Sequence, residues 1–503
     1  MAESNRDIAP SSIPRLIKRF EYESLQEPRK IPAKSIFALG NIAVPISYFL
    51  VGLGDLLITP LSVYMVNAMN AEPWQQTTIS VITQLPWSFK VLYGFWSDIL
   101  PIGGLHRKPY LIFGYGLQTY CYLYVAYLAY SSSAMTFEAL ALLTFLQTFG
   151  TIMADVMADT LVVEHSSHTE AEGARGQTQA TCYAIRFFGS IVGNLGGTLF
   201  FNRSTWGWGL TFWQVNLILG LLPMLLLFPT TVFMYEIPDK ALRPVPQQVR
   251  DIWNMCQQKA VWRPMAFVYL YSLFQVPCAA WSSFLQLGLD FQPWALGLLS
   301  TMGAIMTFVG ILAYKKYFFK TSWRTLYIWT TILVSVFSLL QLMLVLRWNV
   351  KFLHTSDFFF SMGDDVLASY VSGVQFLPVC IMYIQLCPEG SEGATYAMLT
   401  TYGNMAGTLS SALGSVLAGI WDVTNDTLLQ HQYGGLFKLT LLTSLLSPIP
   451  LLLIWLLPST AQETKQLRES KKKSKLGGTV FLLVLLLSLS YTTWDAFSAI
   501  FSG

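Results

Sequence analysis

The amino-acid sequence predicts an all-α integral membrane protein built from two six-helix halves, with a thirteenth hydrophobic segment near its end. Of the 503 residues, 53% are hydrophobic and only 12% are charged, whereas an ordinary soluble domain has about 25% charged residues. The hydrophobic residues form stretches long enough to cross a bilayer. A polar connection divides these stretches into two sets of six, which supports the two-half organisation.

A membrane-spanning helix needs about 20 mostly apolar residues, and twelve stretches meet this requirement. Most of the loops are short, so consecutive helices are expected to be antiparallel neighbours. The predicted spans are 37–68, 75–97, 109–130, 136–164, 177–201, 209–236, 261–287, 294–318, 324–347, 357–386, 394–421 and 434–457. A further segment at 478–501 starts leucine-rich and becomes more polar, and a thirteenth span is favoured there over an interfacial helix.

The predicted organisation has six parts. They are a cytosolic N-terminal tail at 1–36, a first half at 37–236, a cytosolic linker at 237–260, a second half at 261–457, a basic cytosolic segment at 458–476 and an extra hydrophobic helix at 477–503. The sequence Glu-Gly-Ala occurs at 172–174 and again at 392–394, in the connections before the fifth and the eleventh spans. Such a repeat is typical of transporters whose halves rock around a site at mid-membrane.

The positions of Lys and Arg predict the orientation in the membrane. With the N-terminus in the cytoplasm, 25 of the 31 Lys and Arg residues lie in cytoplasmic segments and only four lie outside, as the positive-inside rule requires. The two Asn-X-Ser/Thr sequons, at Asn202 and Asn425, both fall in loops assigned to the outside. The sequence therefore predicts a multi-pass membrane protein with a cytoplasmic N-terminus, and it does not indicate which membrane holds it.

Several other functional classes are disfavoured. The net charge of +3 gives no sign of a nucleic-acid partner. The six cysteines include no CxxC pair, and most lie in apolar stretches, so buried free thiols are expected. His165 and His168 lie in a polar loop without a third ligand, so no metal site or cofactor is predicted. No catalytic motif is present, and the protein is not expected to be an enzyme.

Ionisable residues inside membrane spans are costly and mark candidate functional sites. Asp155 and Asp159 are four residues apart and share one face of the fourth span. Arg186 lies on the fifth span at the same predicted depth as Asp155, about 13 Å from the cytoplasmic surface. Asp155 and Arg186 are therefore expected to pair, either as a substrate or proton-coupling site or as a structural ion pair.

Asp55 is a second candidate, since it follows two glycines and precedes Pro60 in the first span. A carboxylate at such a weak point of a helix can accept hydrogen bonds from a ligand or carry a proton. The alternative is that Asp55 only caps a kinked helix. Lys90, in the second span, is expected to snorkel toward the cytoplasmic surface rather than to bind a ligand.

The second half contains fewer candidates. Asp364 and Asp365 are adjacent in the tenth span, so their side chains point to different faces and at most one is expected to line a cavity. Gln375 lies deeper in the same span, and Asn404 lies in the eleventh.

The junction between the second and third spans, residues 85–111, has a gate-like layout. Gly94 allows close helix approach, Asp98 ends the second span, and Arg107 and Lys108 open the third. Glu164 ends the predicted fourth span on the same side of the membrane.

Three motifs resemble those of the folate–biopterin transporter family of the major facilitator superfamily, over about residues 37 to 457. They are PWSFKVLYGFWSDILPIGGLHRKPYL at 86–111, ADVMADTLVVE at 154–164 and CPEGSEGATYAMLTTYGNMAG at 387–407. The resemblance implies a carrier of folates, pterins or a related metabolite that is driven by protons. It also implies a gate role for Gly94, Asp98, Arg107 and Lys108, and it matches Asp155, Asp159, Glu164 and Asn404 to motif positions. A thirteenth segment lies outside this family's usual plan.

The chemistry of the residues is compatible with such a substrate. A pterin ring offers adjacent N–H donors to a carboxylate and a flat face to aromatic side chains. A folate tail adds carboxylates, for which Arg186 is the best-placed arginine within a span. Two alternatives remain open: a carrier of another metabolite, nucleoside-like or a methyl donor, and a receptor with a transporter fold that binds ligand without moving it.

Overall fold

The computed structural model describes residues 35–131, 135–169, 177–234, 236, 245–278, 280–386, 392–421, 423–470 and 472–501. The predicted tail up to residue 34, the Glu-Gly-Ala sequence at 172–174 and the start of the linker lie outside these residues. Within the described residues, thirteen long helices each overlap one predicted stretch. They are α1 (Ala43–Asn67), α2 (73–99), α3 (Lys108–Tyr130), α4 (Phe137–Thr169), α5 (Gln177–Phe200), α6 (Phe212–Thr231), α7 (259–288), α8 (Pro293–Phe318), α9 (Trp323–Val345), α10 (Asp357–Leu386), α11 (Glu392–Ile420), α12 (Gly434–Leu456) and α13 (Lys475–Phe501).

Hydropathy divides these helices into two groups. Among the described residues, eight helices are long and apolar enough to cross a membrane by themselves: α1, α4, α6, α8, α9, α10, α12 and α13. The other five, α2, α3, α5, α7 and α11, all contribute side chains to a cavity between the halves. Side chains that face this interior space are shielded from lipid and can therefore be polar.

Helices α1, α2 and α7 change geometry near the middle of the bundle. α1 tightens into a 3-10 turn at Gly54–Leu57, and α2 does so at Leu85–Phe89, which contains Pro86. α7 is interrupted between Phe274 and Trp281. Proline lacks the N–H of a regular helix, and backbone groups released at such breaks need other partners inside a membrane.

Side chains of α11 supply those partners at the break in α2. The amide N–H of Val91 donates to Oγ1 of Thr401 at 2.9 Å, and the carbonyl oxygen of Trp87 accepts from Nδ2 of Asn404 at 3.3 Å. α2 belongs to the first half of the bundle, α1–α6, and α11 belongs to the second half, α7–α12. These contacts therefore join the halves next to the cavity.

The halves also meet along α5 and α8. Gly297 of α8 lies directly against Thr198 of α5, where a Cβ atom would collide with the threonine. The hydroxyls of Thr198 and Thr301 are 2.9 Å apart. Small residues let two helices approach closely in a membrane, so this contact line is tightly packed.

Both ends of the bundle carry further contacts between the halves. At the end that contains Arg107, here called the Arg107 end, the Tyr183 hydroxyl of α5 lies 3.2 Å from that of Tyr396 on α11. At the opposite end, here called the Asn425 end, the hydroxyls of Ser62 and Ser282 are 3.3 Å apart. The cavity thus lies between two sets of inter-half contacts.

The thirteenth helix packs lengthwise against both halves. Phe481 stacks on Tyr402 of α11 with ring centroids 4.2 Å apart, and Ser488 lies 2.5 Å from the Tyr269 hydroxyl of α7. Near its other end, Phe497 contacts Phe145 of α4. α13 therefore runs along the bundle from the Arg107 end to the Asn425 end.

One sequon is poorly suited to glycosylation. Asn202 is only 1% exposed, and its side-chain amide donates to the carbonyl oxygen of Thr198. A glycan on this nitrogen requires the asparagine to leave its buried position.

Candidate functional site

A cavity of about 720 Å³ lies between the two halves and is called the central cavity below. Its volume falls in the range of about 300–1,000 Å³ that is usual for small-molecule sites. Among its lining residues are Asp55, Trp87, Lys90, Arg186, Gln375 and Asn404, all but Trp87 candidates from the sequence.

The wall of the central cavity contains a buried charge cluster made of Lys90, Asp155, Asp159 and Arg186. Nζ of Lys90 lies 2.6 Å from Oδ2 of Asp155 and 3.2 Å from Oδ2 of Asp159. Nη1 of Arg186 lies 3.3 Å from Oδ1 of Asp155. The predicted pairing of Asp155 with Arg186 is confirmed, and Lys90 completes a set of two cations and two anions.

The position of Lys90 differs from the one predicted from the sequence. It is 2% exposed and bonded to both aspartates, so the prediction that it snorkels to the surface is wrong. The reason is the 3-10 turn at Leu85–Phe89, which directs Lys90 toward α4. The desolvation of its ammonium is offset by two carboxylates at short range.

Trp87, one turn before Lys90, contacts both cations of the cluster. Its ring centroid is 4.8 Å from Nζ of Lys90 and 4.9 Å from Cζ of Arg186. Arg186 keeps 16% of its side chain exposed, whereas Asp155 keeps 1%. The aspartates and Lys90 are thus enclosed, and the arginine is the cation of the cluster most available to a ligand.

Tyrosines connect the charge cluster to the second half. The Tyr48 hydroxyl donates to Oδ1 of Asp159. Nε2 of Gln179 lies 3.2 Å from the Tyr48 hydroxyl and 3.3 Å from that of Tyr396 on α11. Sequence reasoning missed Tyr48, Gln179 and Tyr396, because buried tyrosines and glutamines carry no pattern that separates them from ordinary packing residues.

Asp55 lies in the 3-10 turn of α1 and faces α5. Its Oδ2 accepts from Nδ2 of Asn194 at 3.4 Å. The carboxylate is only partly buried and lines the central cavity. Asp55 therefore lies both at the kink of α1 and at the central cavity. The interpretation as a helix cap and the interpretation as a ligand- or proton-binding group are compatible.

The gate-like junction forms a compact network at the Arg107 end. Nη2 of Arg107 lies 2.7 Å from Oδ1 of Asp98 and 3.0 Å from Oε1 of Glu164, and its Nη1 donates to Oγ of Ser97 at 2.5 Å. All three partners belong to the first half. These contacts therefore tie α2, α3 and α4 to one another rather than to the second half.

Glu236, which sequence reasoning missed, holds the start of α3. Its carboxylate accepts from the backbone N–H groups of His106, Arg107 and Lys108 at 2.6, 2.8 and 2.9 Å. A helix N-terminus favours such an anion. The Lys108 ammonium donates to the carbonyl oxygen of Met234 at 3.2 Å, so α3 is fixed to the residues after α6.

The remaining candidates occupy separate positions. Gly94 is buried in α2, and its carbonyl oxygen accepts from Ser97. Gln375 donates to the Tyr271 hydroxyl at 2.8 Å beside the central cavity. Asp365 lines a second cavity, whereas the side chain of Asp364 lies outside the described part of the structure.

Comparison with known proteins identifies the family. The family model described as the BT1 family matches residues 51–476. The chain belongs to the BT1 family. A relative named folate-biopterin transporter, from Synechocystis sp., is 25% identical over 432 residues, which are 86% of this chain and 84% of that protein. A Plasmodium falciparum relative named folate transporter 1 is 24% identical and covers 80% of this chain and 76% of its own length.

Solved structures identify the fold. A D-xylose–proton symporter aligns with a TM-score of 0.59 and 11% identity, over 85% of this chain and 99% of that one. A bacterial homologue of the lysosomal transporter Spinster, in an inward-facing conformation, aligns with a TM-score of 0.57 and 12% identity over 86% and 97% of the two chains. This BT1 family member therefore has the major-facilitator fold, and its family indicates a multi-pass membrane transporter rather than an enzyme.

Proposed function

We propose that this protein is a secondary transporter that carries folates, pterins or a related metabolite across the membrane by alternating access. The observation that supports the proposal most directly is the charge cluster in the wall of a central cavity between the halves. A site at this interface is exposed alternately to the two sides when the halves rock. The names of the relatives support the substrate class.

The central cavity suits an anionic group and an aromatic part of such a substrate. Arg186 presents donors in a planar fork, which matches the carboxylates of a folate tail. Trp87, together with Tyr183, Phe187 and Phe376 nearby, offers flat faces to an aromatic part of the substrate. A ligand carboxylate that binds Arg186 competes directly with Asp155 for the same guanidinium.

That competition suggests how protons couple to transport. The cluster is electrically balanced with two cations and two carboxylates, so a substrate anion at Arg186 adds one negative charge. Protonation of Asp155 or Asp159 restores the balance in a medium where an unpaired charge is costly. We therefore assign proton coupling to these two aspartates, with Asp55 as a further carboxylate at the cavity.

The junction network is proposed as the inner gate. Arg107, Asp98 and Glu164 hold three helices of the first half as one unit, so that α2, α3 and α4 move together when this end opens. The distribution of Lys and Arg supports placing the Arg107 end and the N-terminus in the cytoplasm.

Uptake into proteoliposomes tests the proposal. Labelled folate and pterin should accumulate, and an inward proton gradient should increase the rate. Arg186→Gln should reduce folate uptake at least tenfold, because a charge-assisted bidentate contact is lost. Arg347→Gln is the matched control: Arg347 also pairs with an aspartate, at 2.6 Å, but lies outside the central cavity.

Two outcomes would count against the proposal. Absence of uptake of any folate or pterin by the wild type contradicts the substrate class, and a metabolite panel that includes nucleosides then identifies another cargo. Equal loss of uptake in the Arg186 and Arg347 variants contradicts the assignment of Arg186 to the substrate.

A further inference from the structure

A second cavity, of about 500 Å³, adjoins the central cavity on the side of the Asn425 end. Asp55, Phe187 and Ser190 line both cavities, so the two lie next to each other. The second cavity also contains Asp365 from α10 and is called the Asp365 pocket here. It lies between α1 and α5 of the first half and α7, α8 and α10 of the second.

Three polar groups of the Asp365 pocket have unused hydrogen-bonding capacity. Among the described residues, no hydrogen bond or ion pair joins Asp365 to another side chain. Asn194 is 5% exposed, and its Oδ1 has no partner within the described structure. The indole Nε1 of Trp281 is likewise buried and without a described partner.

Burying a polar group costs free energy unless the group has a hydrogen-bond partner. Asp55 and Asp365 line the pocket with carboxylate acceptors, and the unpartnered oxygen of Asn194 and indole N–H of Trp281 belong to side chains that also line it. Hydroxyls of Ser300, Thr307 and Ser369 add groups that donate or accept. The pocket is thus complementary to a ligand edge that carries several N–H donors and one acceptor.

The aminopyrimidinone edge of a pterin has this pattern. Its exocyclic amino group and neighbouring ring N–H are adjacent donors, which a single carboxylate accepts as a pair. Its ring carbonyl oxygen is an acceptor for an indole N–H. Phe187 and Trp281 supply aromatic surface to the flat bicycle.

We propose that the Asp365 pocket binds the aminopyrimidinone edge of the substrate, with Asp365 as the residue that selects for the exocyclic amino group. This inference rests on the proposed function, because it names how the same transported substrate is recognised. The pterin lies in the Asp365 pocket, and an anionic tail extends into the central cavity toward Arg186. Substrate selection and the charge cluster are then separate parts of one extended site.

The test compares two ligands that differ at the edge that carries the amino group. Pterin and lumazine share the bicyclic ring, but lumazine has a carbonyl oxygen where pterin has the amino group. Each ligand competes with labelled folate for the purified full-length protein in detergent. The wild type should prefer pterin by at least tenfold, since a hydrogen bond to a charged group changes affinity roughly 10- to 100-fold.

Two variants separate the roles within the pocket. Asp365→Asn should bring the pterin-to-lumazine preference to near one, because an amide oxygen replaces only part of the carboxylate. Trp281→Phe should weaken both ligands to a similar degree, because both keep the ring carbonyl. The melting temperature of the Asp365→Asn protein should not be lower than that of the wild type, because this substitution removes an unpaired, partly buried carboxylate.

Asp290→Asn is the matched control, since Asp290 is exposed in a loop and does not line either cavity. It should keep the wild-type preference. If Asp365→Asn also keeps that preference, or weakens both ligands equally, the assignment of Asp365 is overturned while the proposed function stands. If the wild type binds neither folate nor pterin, the proposed function fails and this inference fails with it.

Discussion

At the scale of single residues, the charge cluster shows how four costly groups become tolerable together. Lys90, Asp155 and Asp159 are each at most 2% exposed. Each would destabilise the bundle alone, because an unpaired charge in a low-dielectric interior is not solvated. The cluster is stable because its positive and negative charges are equal in number. The loss of one member therefore leaves an unpaired charge among the others.

Asp155→Asn should therefore lower the free energy of unfolding by about 3–5 kcal/mol, the usual cost of removing one partner from a buried pair. Lys90→Met added to Asp155→Asn removes the excess cation and should recover part of this loss. Thermal and denaturant unfolding in detergent measure both effects. A double variant no more stable than Asp155→Asn would contradict the balance argument.

The Tyr48 hydroxyl makes a smaller contribution at the same scale. Tyr48→Phe leaves the ring packed against Tyr183 but removes the donor to Asp159. The carboxylate of Asp159 then lacks one hydrogen-bond donor, which should lower the free energy of unfolding by about 1–3 kcal/mol. The same unfolding measurements apply, with Tyr120→Phe as the control because Tyr120 is 63% exposed. A Tyr48→Phe protein as stable as this control would show that the hydroxyl is dispensable.

At the scale of elements, irregular backbone positions the functional side chains. The 3-10 turns of α1 and α2 lie at Asp55 and just before Lys90. α11 supplies Thr401 and Asn404 to the backbone at the α2 break. Elements near the Arg107 end are fixed differently, because there a carboxylate from outside the helix, Glu236, caps α3.

Glu236→Ala should expose the first amides of α3. The N–H groups of 106–108 lose their acceptor, and amide exchange at these residues should accelerate about 5- to 30-fold, since a lost cap costs about 1–2 kcal/mol. Hydrogen exchange followed by mass spectrometry on peptides from this segment measures the change. Glu469→Ala, which alters an exposed carboxylate elsewhere, should leave that exchange unchanged, and an unaffected Glu236→Ala protein would show that α3 needs no cap.

At the scale of the whole molecule, two halves enclose the site and touch at both of its ends. Transport by alternating access requires these two sets of contacts to open in turn. The Ser62–Ser282 contact lies at the Asn425 end, where its opening would release the halves from each other on that side. A covalent link there tests whether the ends must separate.

Ser62→Cys combined with Ser282→Cys should form a disulfide on oxidation, because the two hydroxyls are 3.3 Å apart. Oxidation should abolish uptake, and dithiothreitol should restore it. Ser338→Cys with Ser444→Cys is the matched control: these hydroxyls are 2.6 Å apart, but both belong to the second half. Undiminished uptake by the oxidised Ser62–Ser282 pair would rule out opening at this end.

Much of the architecture could be predicted from the sequence. The lengths and apolar character of the stretches located the thirteen long helices of the described residues, because the bilayer imposes the same requirement on each span independently. Helix spacing also predicted the contact between Asp155 and Arg186. Helix ends were less accurate: α4 continues to Thr169 rather than ending at Glu164.

The sequence by itself determined the membrane-spanning helices, their order and the carboxylates and cations that require partners, since these depend on local composition. Only the tertiary structure decided which partners they have. Lys90 turned inward because a 3-10 turn and two aspartates 65 and 69 residues away act together. Glu236 capped α3, and Asp365 joined Asn194 and Trp281 in one pocket, because packing places residues from distant helices side by side.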